Sequence, residues 1–190
     1  MLFFVIFLPF LTLSTLSWVI PAAASLIAAA VVAAALLLRD RIAGRSVKLV
    51  TLSSAVLCLG LGVLLLCHPS IDTLTVRTAL DAGLLAVVLG ALALGFPFTL
   101  QYAREQAAPE VVRRPEFIRT NYVLSLAWIG ALALMLMADI AALWFPSAPL
   151  WAAVVIAFAV RSVTVRFTKW YTQRARKRLV ALPAPASALH

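Results

Sequence analysis

Two ionisable residues, Asp139 and Arg161, stand inside apolar runs. At 1.5 Å per residue, Asp139 lies about 9 Å inside the far end of a run from Tyr122 to Phe145. Arg161 lies about 16 Å into the next run, which starts near Leu150 and continues to about Trp170. A charge at such depth in hydrocarbon is rare and marks a transport path, a proton relay or a buried partner. The turn Pro146-Ser147-Ala148-Pro149 is short, so the two runs are antiparallel neighbours. The remaining depth gap of about 7 Å is largely covered by an arginine side chain. An intramembrane ion pair between Asp139 and Arg161 is therefore expected. Its plain reading is a bridge that fixes helix register, or an arginine reaching for the headgroups. The sharper reading is a proton or ion relay, which needs a chain of acids or histidines. The intervening positions are Ala, Leu, Val and Met, which favours the plain reading. Asp81 is a third acid, near the start of a run from Ala79 to about Tyr102.

Other chemistry is thin. His68 and Asp72 have i, i+4 spacing, but Pro69 at a helix end keeps them off one helical face. Cys58 and Cys67 share one apolar helix and do not bridge, and no CxxC or Cys/His ligand spacing exists. There is no GxSxG, no HExxH, no phosphate-binding Gly-rich loop and no carboxylate pair at useful sequence spacing. The expectation is no catalytic residue, no metal, no cofactor and no enzyme.

The elements that must position these residues are set by composition. Hydrophobic residues make up 64% of the 190 positions, charged residues 12%, and the mean hydropathy is +1.05. A soluble domain carries about 25% charged residues. Runs of roughly 20 apolar residues span about 30 Å of hydrocarbon. Such runs cover residues 2–20, 21–38, 49–68, 79–102, 122–145 and 150–170. Pro21 separates the first two. This predicts an all-α integral membrane protein, a compact bundle of about six transmembrane helices, or five if the first run is re-entrant. A cleaved leader is the rival reading of residues 2–20, but no basic stretch precedes the run and Pro9 interrupts it. One transmembrane domain is expected over residues 1–178, with a disordered Pro/Ala-rich tail at 179–190.

Charge gives orientation. If the runs alternate direction, all of the 16 basic residues except Arg77 lie on or lean toward one side. The positive-inside rule makes that side cytoplasmic, so a multi-pass protein of a bacterial inner (plasma) membrane with a cytoplasmic C-terminus is expected. The net charge of +9 flanks apolar spans and forms no patch on a polar fold, which argues against nucleic acid and for anionic lipid headgroups. Aromatic residues gather at both predicted edges.

Ala82, Ala86 and Gly90 at four-residue spacing, with Gly83 beside them, suggest a close-packing helix face, within the chain or against another membrane protein. Pro97 should kink the helix that carries them. The following stretch alternates acids, arginines and apolar anchors. Arg104, Arg113, Arg114, Arg119 and Asn121 form its expected headgroup or partner surface.

Several short matches sit on this layout. Phe7-Leu-Pro-Phe10 precedes an apolar run, and Phe117-Ile118-Arg119-Thr120-Asn121 leads into Leu124-Ser125-Leu126-Ala127-Trp128. Ala138-Asp139-Ile140 and Trp144-Phe145-Pro146 stand at the far end. On these the chain resembles the intracellular septation protein A family of small inner-membrane proteins, in which a similar asparagine-to-Leu-Ala-Trp lead-in opens a comparable span. The layout covers most of residues 1–178. The segment from Phe98 to Glu105 departs from the family pattern. The resemblance implies a role in envelope integrity and septation through protein contacts, with Asn121, Trp128 and Asp139 as points of similarity. Together with the absence of catalytic motifs it leads to the expectation of a non-enzymatic scaffold or interaction partner. A small transporter or channel using Asp139 and Arg161 is the alternative.

Overall fold

The computed structural model describes residues 20–145 and 150–181, the side chains of 150–154 and 178–181 excepted. Those residues form helices joined by short connections. In chain order they are α1 (Ala22–Ile42), α2 (Leu49–Cys67), α3 (Thr73–Ala93), α4 (Phe98–Arg104), α5 (Pro109–Val112), α6 (Pro115–Trp144) and α7 (Leu150–Ala181). Among the described residues α1, α2, α3 and α6 are long and apolar enough to cross a membrane. The fold is all-α, as expected. The expected first run and the end of the tail, residues 1–19 and 182–190, lie outside the described residues. α7 continues to Ala181, past the boundary expected at 178.

Helix ends follow from local chemistry. α1 and α3 stop in the same way, at a glycine with positive φ: 66° at Gly44 and 79° at Gly95. Beyond each glycine the chain turns back on the last helical turn, Arg45 N–H donating to the Asp40 carbonyl and Phe96 N–H to the Ala91 carbonyl. This is the left-handed glycine stop, which a Cβ would strain. Asp72 starts α3 by accepting hydrogen bonds from the Leu74 and Thr75 amides, a side-chain N-cap. Pro109 and Pro115 open α5 and α6, where a missing N–H loses nothing.

Three expectations change here. The fourth run does not kink at Pro97; it ends in the Gly95 stop, and α4 restarts as a separate helix after Pro97. The Phe117–Asn121 stretch is the start of α6 and not a loop, because Pro115 nucleates it earlier than the apolar run begins. The small-residue face is not a packing face within the chain. Ala86 and Gly90 are exposed and Ala82 only half-buried, and a Cβ on Gly90 would meet nothing within 4 Å. Only Gly83 is in close contact, 2.9 Å from Leu57 Cδ2 to a Cβ built there. The buried stripe of α3 is instead Val76, Leu80, Asp81, Leu84, Val88 and Ala91.

Packing runs from α1 to α2, α2 to α3, α3 to α6 and α6 to α7, with α4 laid on α6. One apolar cluster joins α1, α2 and α3 through Leu26, Ala29, Cys58, Leu65 and Leu80. Another joins α2, α3, α4 and α6 through Val50, Val88, Phe98, Tyr102 and Trp128. Outward faces carry Val56, Leu59, Leu66, Leu134, Met137 and Phe158, all exposed. Large apolar side chains at that density on outer faces suit hydrocarbon as the surrounding solvent.

Candidate functional site

Two clusters of charge occupy opposite ends of the bundle. The first lies among the spans. Arg77 and Asp81 stand one turn apart on α3, Asp139 near the end of α6, and Arg161 on α7. Arg77 Nε is 3.2 Å from Asp139 Oδ2. Asp139 is fully buried, and among the described residues no hydrogen bond reaches either of its oxygens. The Arg77 contact is thus an attraction of charges whose N–H is not aligned as a hydrogen bond. The Asp81 carboxyl, also buried, comes within hydrogen-bonding reach of Asp139 and interacts electrostatically with both arginines. Both residues expected to pair therefore belong to the cluster, with a different partnership. The ion pair to Asp139 comes from Arg77, and Arg161 couples to Asp81. Depth counted along the chain placed Arg161 opposite Asp139 without knowing how α3 packs onto α6.

The second cluster ties the α1–α2 hinge to α4. Lys48, 4% exposed, places Nζ 2.6 Å from Asp40 Oδ2 and 3.0 Å from Glu105 Oε2. Arg39 contacts the other Asp40 oxygen at 3.1 Å. Glu105 Oε1 accepts hydrogen bonds from the Ser46 amide and hydroxyl. Gln101 Oε1 accepts the Leu49 amide at 2.9 Å, capping the start of α2 from another helix. Tyr102 is buried beneath Lys48, its ring centroid 5.7 Å from Nζ. Burial pushes the Tyr102 phenol up to about 12. None of these pairings was foreseen, since they depend on α4 folding back against the hinge. The available signal was a buried-looking Asp40–Lys48 pair around Gly44.

The expected surface residues divide. Arg104, Arg113 and Arg119 are exposed, and Arg114 is half-buried. Asn121 is withdrawn from that surface. It is 3% exposed, its amide donates to the Phe117 carbonyl, and its own carbonyl accepts the Thr99 hydroxyl at 2.8 Å. The Thr99 and Ser125 hydroxyls lie 2.9 Å apart, so Asn121 helps seat α4 on α6. Beyond it, Tyr122 donates to the Gly95 carbonyl and Trp128 Nε1 to Thr168 Oγ1 on α7. Among the described residues no group of His, Cys, Asp and Glu is placed to hold a metal. Cys58 is buried and Cys67 exposed, each unbridged.

No protein-family model, curated protein or solved structure matches the chain.

Proposed function

We propose that this chain is a non-enzymatic, polytopic protein of a bacterial inner membrane, crossing it about six times with a cytoplasmic C-terminus. Its role in this reading is that of a scaffold or interaction partner in envelope maintenance or septation, as the resemblance to the septation protein A family suggests. One observation supports it above the others: the basic end is built as a fixed platform. Lys48, Asp40, Glu105 and Gln101 hold the hinge and α4 together, while Arg104, Arg113, Arg119, Arg174 and Arg176 remain exposed. Rigidly held cations near a membrane surface attract anionic lipid and acidic partner surfaces. The test is a deletion strain scored for cell length and envelope sensitivity, complemented by the native gene and by Arg104→Gln/Arg113→Gln/Arg119→Gln. The platform reading expects a defect that the native gene rescues and the triple variant does not. Normal length and normal sensitivity in the deletion strain count against the role.

A second reading, a small transporter or channel, rests on the cluster of Arg77, Asp81, Asp139 and Arg161. Charges brought together from three helices within apolar spans are what ion and proton paths use. Flux across proteoliposomes that Asp139→Asn abolishes would favour this reading over the scaffold.

A further inference from the structure

Asp139 presents a problem of satisfaction. A fully buried carboxylate without a hydrogen-bond donor costs several kcal/mol, and native proteins rarely leave one so. Arg77 neutralises part of its charge at 3.2 Å but does not donate to it. The group within hydrogen-bonding reach is another carboxyl, that of Asp81. Two ionised carboxylates are acceptors only and cannot bond each other. They can when one holds a proton, and like charges at that range favour this arrangement. The charged groups that face the pair come from three helices: Arg77 and Asp81 on α3, Asp139 on α6, Arg161 on α7.

We propose that Asp81 and Asp139 form an intramembrane proton-binding site, in which Asp81 carries one proton and donates it in a hydrogen bond to Asp139. The structure supplies a partner for each state. With the proton bound, Asp139 is the single anion, held by Arg77 and by the Asp81 O–H. When the O–H bond breaks, the proton passes to water and its electron pair stays on Asp81, whose new charge Arg161 and Arg77 balance. The site goes beyond the scaffold reading and is compatible with either role.

Infrared titration of the full chain in lipid tests this directly, because a protonated carboxyl has a C=O absorption distinct from that of a carboxylate. The other five acids, Asp40, Asp72, Glu105, Glu110 and Glu116, stand at helix ends or in the first turn of a helix. At mildly acid pH, above the range in which ordinary carboxylates protonate, the expected spectrum has one carboxylic-acid band per chain. That band disappears in Asp81→Asn, and in Asp139→Asn it is lost or moves in frequency, because the neighbouring charge that favours the proton and the acceptor of its hydrogen bond are both gone. Absence of an acid band at that mildly acid pH, or a band that survives Asp81→Asn, overturns the proposal. If Asp81→Asn does not fold, Asp139→Asn decides alone, and an acid band at unchanged frequency in that variant overturns it equally.

Discussion

Lys48 reaches across from the α1–α2 hinge to Glu105 at the end of α4, its Nζ 3.0 Å from Oε2, while the same nitrogen holds Asp40 at 2.6 Å. A single buried ammonium therefore joins two acids from different helices. Breaking a buried pair by removing one partner destabilises by about 3–5 kcal/mol, since the other charge is left uncompensated. Asp40 retains Arg39 and, at 3.8 Å, Arg45, so the lower end of that range applies.

Lys48→Met should lower stability by about 3 kcal/mol, read as a fall in Tm in detergent micelles. Glu105→Gln should have a smaller effect, because an amide oxygen still accepts from Ser46. An unchanged Tm for Lys48→Met would show that the network does not hold the hinge.

Gly62 allows α2 to approach α1. A Cβ there would lie 2.9 Å from Ile27 Cγ1 and 3.3 Å from Leu26 Cβ, whereas one on Gly60 would meet nothing within 4 Å. Alanine in place of a mid-helix glycine gains up to about 1 kcal/mol in propensity, and overpacking costs about 1–3 kcal/mol. Gly60→Ala should raise Tm and Gly62→Ala should lower it. Equal shifts of the same sign would mean that α1 and α2 do not touch at this point.

The sequence displays its solvent more plainly than its contacts. The apolar runs mark α1, α2, α3 and α6 because hydrocarbon demands length and absence of charge, and both are visible along one chain. Asp139 is noticeable for the same reason. Its partner is not, because Arg77 lies near a helix end and reads as an interfacial residue until α3 is packed on α6. The small-residue stripe shows the opposite limit. Ala82, Ala86 and Gly90 have the spacing of a packing face, but spacing alone does not say which face turns inward, and Gly62 carries the closer approach. Asn121 looked like a loop residue because its neighbours are polar. Pro115 starts the helix earlier and turns Asn121 toward α4. The hinge network was least legible, being made by a short helix whose position no periodicity reports.

Orientation is open to chemical labelling. In a background lacking Cys58 and Cys67, a cysteine at Ser70, exposed between α2 and α3, should react with an impermeant maleimide in intact spheroplasts. Cysteines at Arg45 and Arg113, both exposed at the basic end, should react only after permeabilisation. Ser70 is preferred to Asp72, whose side chain caps α3. The reverse pattern would invert the topology.

The exposed arginines of the basic end should set lipid preference. Each contributes about 1 kcal/mol toward an anionic leaflet, about fivefold in binding. Arg104→Gln, Arg113→Gln and Arg119→Gln should each reduce phosphatidylglycerol retention on purification, and the loss should shrink at high salt. Asn121→Ala should leave retention unchanged while lowering Tm, since Asn121 is buried. If the triple arginine variant keeps its anionic lipid, the platform binds an acidic protein surface or nothing.

Alkali provides a test of how the basic end is packed. Burial pushes the Tyr102 phenol from its ordinary value near 10 up to about 12. Between these values the native chain keeps the proton and the unfolded chain releases it, so the native state binds more protons. Stability is then fully present below pH 10 and falls as pH rises through the window. Each unit of separation is worth about 1.4 kcal/mol, so the loss approaches about 2–3 kcal/mol by pH 12. Tyr102→Phe removes this titration and gives up only a 3.5 Å contact with the Thr51 hydroxyl, a small loss at neutral pH. Other groups that titrate in alkali are common to both proteins, so the difference in Tm against pH isolates the phenol. The variant should start slightly below the native protein at pH 8 and lose less stability between pH 10 and 12. Parallel curves would mean that Tyr102 meets water, and that α4 does not close over the hinge as described.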